Sequence, residues 1–363
     1  MRLIRARFAL AALIAGALAG CKSIDPPPFS FAGTNIVWPP PPDQPRVRYI
    51  GAISGEADLG RKKSAGEALT EVLQGPRPRI SFSTPVAVAA DGRRVWVADP
   101  AQPGGPCVHA IDLEARSLTL IREVAGAPLQ WPIDVAWYDG SLAIADARRA
   151  AVFMTSINGG ATRTIGSGVL KRPASVTWVA DRLYVLDAGL HAVIMFDQIG
   201  REVGRFGQRG TRAGEFNFPS AICAVPAMNG ISPGAAARAV DITGAWEIAI
   251  ADAMNFRVQL VDEIGRPLRT FGQKGDAAGD FSLPRDIATD RAGRLCVLDN
   301  QFENIQIFDR EARLLMALGR GGNGPGQFNL PSGIAIDDEQ RIWVADTYNR
   351  RVQVFELLPE LPS

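Results

Sequence analysis

The feature that most constrains this chain is that it repeats itself six times. Six short apolar runs each end in aspartate: Val-Trp-Val-Ala-Asp99, Leu-Ala-Ile-Ala-Asp146, Leu-Tyr-Val-Leu-Asp187, Ile-Ala-Ile-Ala-Asp252, Leu-Cys-Val-Leu-Asp299 and Ile-Trp-Val-Ala-Asp346. The aspartates are 47, 41, 65, 47 and 47 residues apart. A proline precedes each, at 85, 132, 173, 219, 284 and 331, and both registers place one irregularity in the fourth unit. A fixed period of this length means that each unit is a supersecondary element that buries its apolar faces only against its neighbours.

Each unit has the same grammar. A short apolar run follows the proline, as in Gly333-Ile334-Ala335-Ile336, then a turn such as Asp290-Arg291-Ala292-Gly293. A second run ends at the aspartate, a third follows, as in Arg257-Val258-Gln259-Leu260-Val261, and a fourth leads into a glycine-rich link such as Phe271-Gly272-Gln273-Lys274-Gly275. Four short, β-branched-rich strands per unit predict propeller blades, where a helical solenoid would repeat every 3.6 residues. The fold expected is all-β: a six-bladed β-propeller over 82–358, with a tail at 359–363. The fourth unit takes 33 residues from proline to aspartate where the others take 14 or 15, so its surplus, 225–244, falls between that blade's first and second strands.

The chain stops after the third strand of the last unit, so that blade lacks an outer strand. Arg46-Val47-Arg48-Tyr49-Ile50-Gly51 resembles the fourth-strand segments at 201–207 and 266–272, and is expected to pair beside 352–357, closing the ring and covering an edge. The region 46–81 also holds one short helix before the first blade, beginning Ser64-Ala65-Gly66-Glu67 with Leu69, Val72 and Leu73 on one face, expected to pack on the ring.

The pattern Phe-X-Leu/Phe-Pro, Ala/Val-Asp-X-X-Asn-X-Arg-Val-Gln-X-Phe and Phe-Gly-X-X-Gly-X-X-X-Gly-X-Phe resembles the NHL repeat. Its fullest copies run over 216–281, 281–328 and 328–355, and the resemblance implies a six-bladed propeller of NHL repeats. The lead-in from Trp38 to Tyr49, with its Trp-Pro-Pro-Pro-Pro, is similar to that of bacterial NHL lipoproteins.

The N-terminus reads as a targeting segment. Arg2, Arg5 and Arg7 precede an apolar stretch from Phe8 to Leu18, too short to span a bilayer, and Leu18-Ala19-Gly20-Cys21 resembles the bacterial lipobox. Residues 1–20 are therefore expected to be a signal peptide and Cys21 the lipidated residue, anchored by several acyl chains. Lys22, in place of aspartate, points to the outer membrane by resemblance to the enterobacterial sorting rule, with the body facing the periplasm. Residues 21–45, rich in proline, are expected to be a semi-rigid tether.

Charge and composition narrow the function. The whole chain carries +1, and removing residues 1–20 takes away three arginines and no acid, leaving −2. That balance argues against binding to nucleic acid. Only two histidines occur, so no three-histidine metal site exists in one chain. No cofactor motif is present, and none is expected.

Candidate site residues are those at which the units differ. Two residues after each proline stand Ala87, Asp134, Ser175, Ala221, Asp286 and Gly333. Units two and five oppose each other in a ring of six, so Asp134 and Asp286 are expected to face each other at the channel mouth with Arg285 beside them. They are weak metal candidates. Arg148, Arg149, Lys171, Arg172, Arg209 and Arg212 fall in loops that a propeller gathers on one face, forming a positive arc suited to an acidic partner surface or a phosphate group. His191 lies on the same face. The recurring aspartates are read as turn caps. Cys107, Cys223 and Cys296 are read as small core residues.

The function expected is a binding or assembly scaffold of the cell envelope, with a protein partner. The alternative is a metal-dependent hydrolase or lyase at the channel mouth.

Overall fold

The computed structural model describes residues 35–61, 65–156, 162–226 and 246–358. The expected signal peptide, Cys21, the first part of the proline-rich segment, Ser64, nearly all of the fourth unit's surplus and the tail at 359–363 lie outside them.

Six antiparallel sheets form a closed ring, as the repeat predicts. Innermost strands begin at or just after each repeat proline: Ala87–Ala90, Pro132–Tyr138, Pro173–Val179, Ala221–Pro226, Pro284–Thr289 and Gly333–Ile336. Blades one to five each carry three further strands in simple meander order. Each innermost strand lies against the next, and the sixth lies against the first. A short hairpin, Glu123–Val124 with Ala127–Pro128, is added between blades one and two.

The core is divided among the six seams between blades. Period-2 alternation in each second strand sends neighbouring residues to opposite seams. In Arg182–Asp187, Leu183 and Val185 pack toward blade two, while Tyr184 and Leu186 pack toward blade four. The Phe-Gly pairs of the links are fixed sterically. Gly272 has φ 84°, and a Cβ there would lie 2.4 Å from the buried Phe281 ring; Gly207 and Gly319 stand in the same relation to Phe216 and Phe328. Only glycine combines the left-handed backbone with that approach.

The ring closes by the expected strand. Val47–Ile53 pairs antiparallel with Arg351–Leu357, with Tyr49 opposite Phe355 and a bulge before Gly51. The two aromatic rings meet edge to face at 5.5 Å. A fifth strand, Val37–Trp38, then pairs outside Val47–Arg48, and Trp38 packs edge-on against Phe355 at 5.7 Å. The proline-rich run expected to be a spacer as far as residue 45 is thus docked over its final residues. Trp38 is the reason, since an indole buries apolar area that a polyproline chain lacks.

The helix forms at Ala65–Gln74, but Val72 and Leu73 are 82% and 73% exposed, contrary to the packing expected of them. Helical spacing fixes which side chains share a face and does not by itself supply a partner for that face.

Deleting residues 35–53 strips the covered edge from Arg351–Leu357. Size-exclusion chromatography is expected to detect self-association through that edge, with a lowered Tm. Tyr49→Ala alone is expected to cost about 3 kcal/mol by urea unfolding, whereas Arg48→Ala, which removes only the exposed pair with Glu356, is expected to cost under about 1 kcal/mol.

Candidate functional site: a basic face around the channel mouth

The aspartates that close the six second strands are all fully buried. Each carboxylate reaches back to backbone N–H groups of the link that enters its own blade. Asp187 accepts from Lys171 at 2.6 Å and Arg172 at 3.0 Å, and from Gly189 and Leu190 of the following turn at 2.8 and 2.9 Å. Asp146 does the same with Gln130, Trp131, Arg148 and Arg149. In blades four and six, side chains replace the turn amides: Asp252 binds Asn255, Arg257 and Gln259, and Asp346 binds Asn349, Arg351 and Gln353. These residues cap loops, as the sequence reading held, and are engaged throughout.

The clamp also dictates what the loops present. Links and post-aspartate turns emerge on one face, and the candidate basic residues sit where the clamp fixes the backbone. Arg148 lies over the Trp131 ring at 4.4 Å, and Arg149 over Phe153 at 5.9 Å. Arg172 and Arg209 flank Phe218 at 5.4 and 5.9 Å. Lys171 and Arg212 are exposed nearby. Among the described residues none of these six side chains forms a salt bridge. The acid nearest Arg212, Glu215, is engaged by Gln208 and by the Arg212 backbone N–H. Elsewhere on the ring, Arg48, Arg93, Arg205, Arg269, Arg313 and Arg341 each hold a carboxylate. Trp131, Phe218 and Arg172 line one cavity, so Arg148, Arg172 and Arg209 stand around its mouth.

A cavity of about 340 Å³ opens at the centre of this face. Its walls are mostly apolar, with Trp131, Ile133, Phe218, Met254 and Leu283, and Arg172 and Arg285 supply positive charge. Phe218 and Met254 are 40% and 49% exposed. This apolar wall was not foreseen, because its residues come from links and turns of four blades.

Asp134 and Asp286 lie one residue further along the inner strands than Ile133 and Arg285, behind the mouth. Each is tied to the next blade. Asp134 accepts the N–H groups of Val135 and Val176, both at 2.8 Å; Asp286 accepts those of Ile287 at 2.8 Å and Ile334 at 2.7 Å. Ser175 serves the same purpose between blades three and four, accepting from Ile222 at 3.2 Å. The carboxylates line the channel and keep part of their surface exposed to it, with protein packed densely around them. Burial raises both above the usual carboxylate range, and for Asp286 the charge of Asp134 adds to it. Burial also pulls the Arg285 guanidinium below its usual value, opposed by both carboxylates. As a metal site the pair is deficient: no third His, Cys, Asp or Glu joins it among the described residues, and all four oxygens already accept backbone donors.

His191 is a positioning residue here. It is 8% exposed with φ 55°, and its Nδ1 accepts the Phe218 N–H at 3.1 Å while its ring meets Phe218 edge to face at 4.6 Å. Burial lowers its pKa, with Arg209 adding to the effect, so the ring is neutral and its Nδ1 lone pair is committed. It holds the ring that Arg172 and Arg209 flank. Cys107, Cys223 and Cys296 are unpaired with one another, and burial pushes the Cys107 and Cys223 thiols up to about 12.

Asp187→Ala removes four buried acceptor contacts and is expected to cost about 2–4 kcal/mol by urea unfolding. The channel pair is expected to make stability fall with pH. Both carboxyls hold their protons to higher pH than in the unfolded chain, where they titrate near about 4, so the folded state is favoured below that value and loses stability as pH rises toward neutrality. The Asp134→Asn, Asp286→Asn variant should flatten that slope, as read from urea midpoints at about pH 5 and about pH 8.

Residues 328–355 match the NHL repeat model. A protein of unknown function from Bacteroides thetaiotaomicron shares the fold with TM-score 0.55 and 15% identity, covering 76% of this chain and 70% of that one. An auxiliary nutrient binding protein from the same organism gives 0.55, 14%, 76% and 69%. Virginiamycin B lyase from Staphylococcus aureus gives 0.51, 13%, 76% and 96%. At such identities the likeness is one of fold. The chain is a six-bladed β-propeller with an NHL repeat in its last blade.

Proposed function

We propose that this chain is a lipid-anchored propeller of the bacterial envelope whose basic face docks an acidic surface of a protein partner. The observation that carries the reading is the set of six basic side chains in loops of one face that, among the described residues, form no salt bridge, four of them stacked on aromatic rings. A monomer at rest gains nothing from gathering like charges, which repel. An acidic partner repays that repulsion by steering and electrostatic complementarity. Stacking on Trp131 and Phe218 restrains several guanidiniums before the partner arrives, which lowers the entropy lost on binding. Exposed Phe218 and Met254 at the mouth provide apolar contact area inside the charged rim.

The anchor follows from the signal sequence and the Cys21 motif, which supports placement at the outer membrane, facing the periplasm. The proline-rich segment between Cys21 and the docked Val37–Trp38 would then be a shorter spacer than the sequence alone implied.

The test is crosslinking and capture from envelope fractions with the full chain and with Arg148→Glu, Arg172→Glu, Arg209→Glu. The reversed variant is expected to keep its Tm and lose a partner that wild type captures in a salt-sensitive manner. Equal capture by both sinks the docking reading. In the same fractions, Cys21→Ser is expected to move the protein from membrane to soluble; if it stays on the membrane, the anchor is wrong.

A further inference from the structure

We propose that a groove on the opposite face, between blades two and three, binds a neutral oligosaccharide. The turns between first and second strands, and between third and fourth, emerge on this face. Between these two blades the first turn of each, the ends of Ala151–Ser156 and Arg163–Ile165, and Gln198 of blade three line a depression of about 360 Å³, within the range of small-molecule sites.

Its centre is aromatic. Tyr138, at the end of one inner strand, stacks on Trp178 of the next at 5.5 Å with 26° between the planes, making one two-ring platform from two blades. Neither the Tyr138 hydroxyl nor Trp178 Nε1 has a hydrogen-bond partner among the described residues, and the indole nitrogen is buried. An unmade hydrogen bond on a buried donor is costly, and a side-chain shift that opens the indole edge to a ligand oxygen would complete it.

The rim supplies hydrogen-bonding groups of both kinds. Asp139 and Asp181 stand in the two facing turns, and together with burial they raise the Tyr138 pKa, so both carboxylates act on the phenol. Ser141 and Thr155 add hydroxyls. Arg163 bridges the blades by donating to the Gln198 carbonyl at 2.8 Å, which walls the groove on its outer side and leaves the Gln198 side chain on its lining.

The ligand class follows from this mixture. A simple cation needs acceptors and would be repelled by Arg163; a simple anion would be repelled by two carboxylates. A sugar ring offers an apolar face to the aromatic platform and a rim of hydroxyls that both donate and accept, which matches carboxylates, hydroxyls, an amide and a guanidinium placed around two rings. The basic face lies at the other end of the channel, so the two sites are independent.

The test uses the full chain, titrated separately with chitotriose, maltotriose and spermidine while tryptophan fluorescence and ligand NMR are read. A saturable response to at least one oligosaccharide is expected, weakened about tenfold or more in Asp139→Asn, Asp181→Asn, which alters only the exposed rim. Trp178→Ala should abolish it, with Trp178→Phe retaining part, and Arg148→Glu, Arg172→Glu, Arg209→Glu should leave it unchanged. No response to either sugar, an undiminished response in the aspartate variant, or a response to spermidine alone overturns the assignment.

Discussion

The whole ring rests on one buried carboxylate used six times. A propeller blade meets its neighbours through side chains alone, so the link that carries the chain from the outer edge of one blade to the centre of the next has no sheet ladder to satisfy its amides. The aspartate at the end of each second strand supplies the missing acceptor, taking N–H groups from that incoming link and in most blades from its own turn. A backbone amide left buried without an acceptor costs of the order of 1–3 kcal/mol, so one carboxylate that satisfies three or four of them decides whether the link can be ordered at all. Blades four and six reach the same result with Asn, Arg and Gln side chains, which explains why the fuller repeat pattern and the reduced one fold alike. Blade one uses His109 where those blades use Gln, at 3.3 Å from Asp99.

What the link face displays follows from the same constraint. Because the clamp lies just beneath the link loops, the residues it immobilises are the ones displayed on that face. Lys171 and Arg172 are held by their own backbone N–H groups, so their side chains point away from a fixed base rather than from a mobile loop. Neutral His191 then fixes Phe218, and Phe218 in turn seats Arg172 and Arg209. A basic rim on loops with a fixed backbone is the outcome. Channel carboxylates play a different part: Asp134, Ser175 and Asp286 tie one inner strand to the next where the blades converge.

Much of this was legible in the sequence because a repeat broadcasts its own architecture. Proline and aspartate registers placed every inner and second strand, and Arg46 to Gly51 announced itself as a missing outer strand by its likeness to the strands of other units. The basic residues were legible as a group for the same reason, since equal positions in equal units must share a face. Asp134 and Asp286 were legible as unusual residues but not in their role, because their partners Val176 and Ile334 are backbone amides of other units, 42 and 48 residues away, which no side-chain pattern records.

What the sequence determined by itself is therefore whatever is encoded within one unit and multiplied by six: strand number, ring size, the turn caps and the faces on which loops emerge. What only the tertiary structure decided lies between units. Trp38 docking on Phe355, the Tyr138–Trp178 stack and the apolar mouth walled by four blades each join residues that share no local pattern. The physical reason is that period and turn chemistry are local properties of the backbone, whereas stacking, burial and charge compensation depend on distances that exist only once the ring has closed.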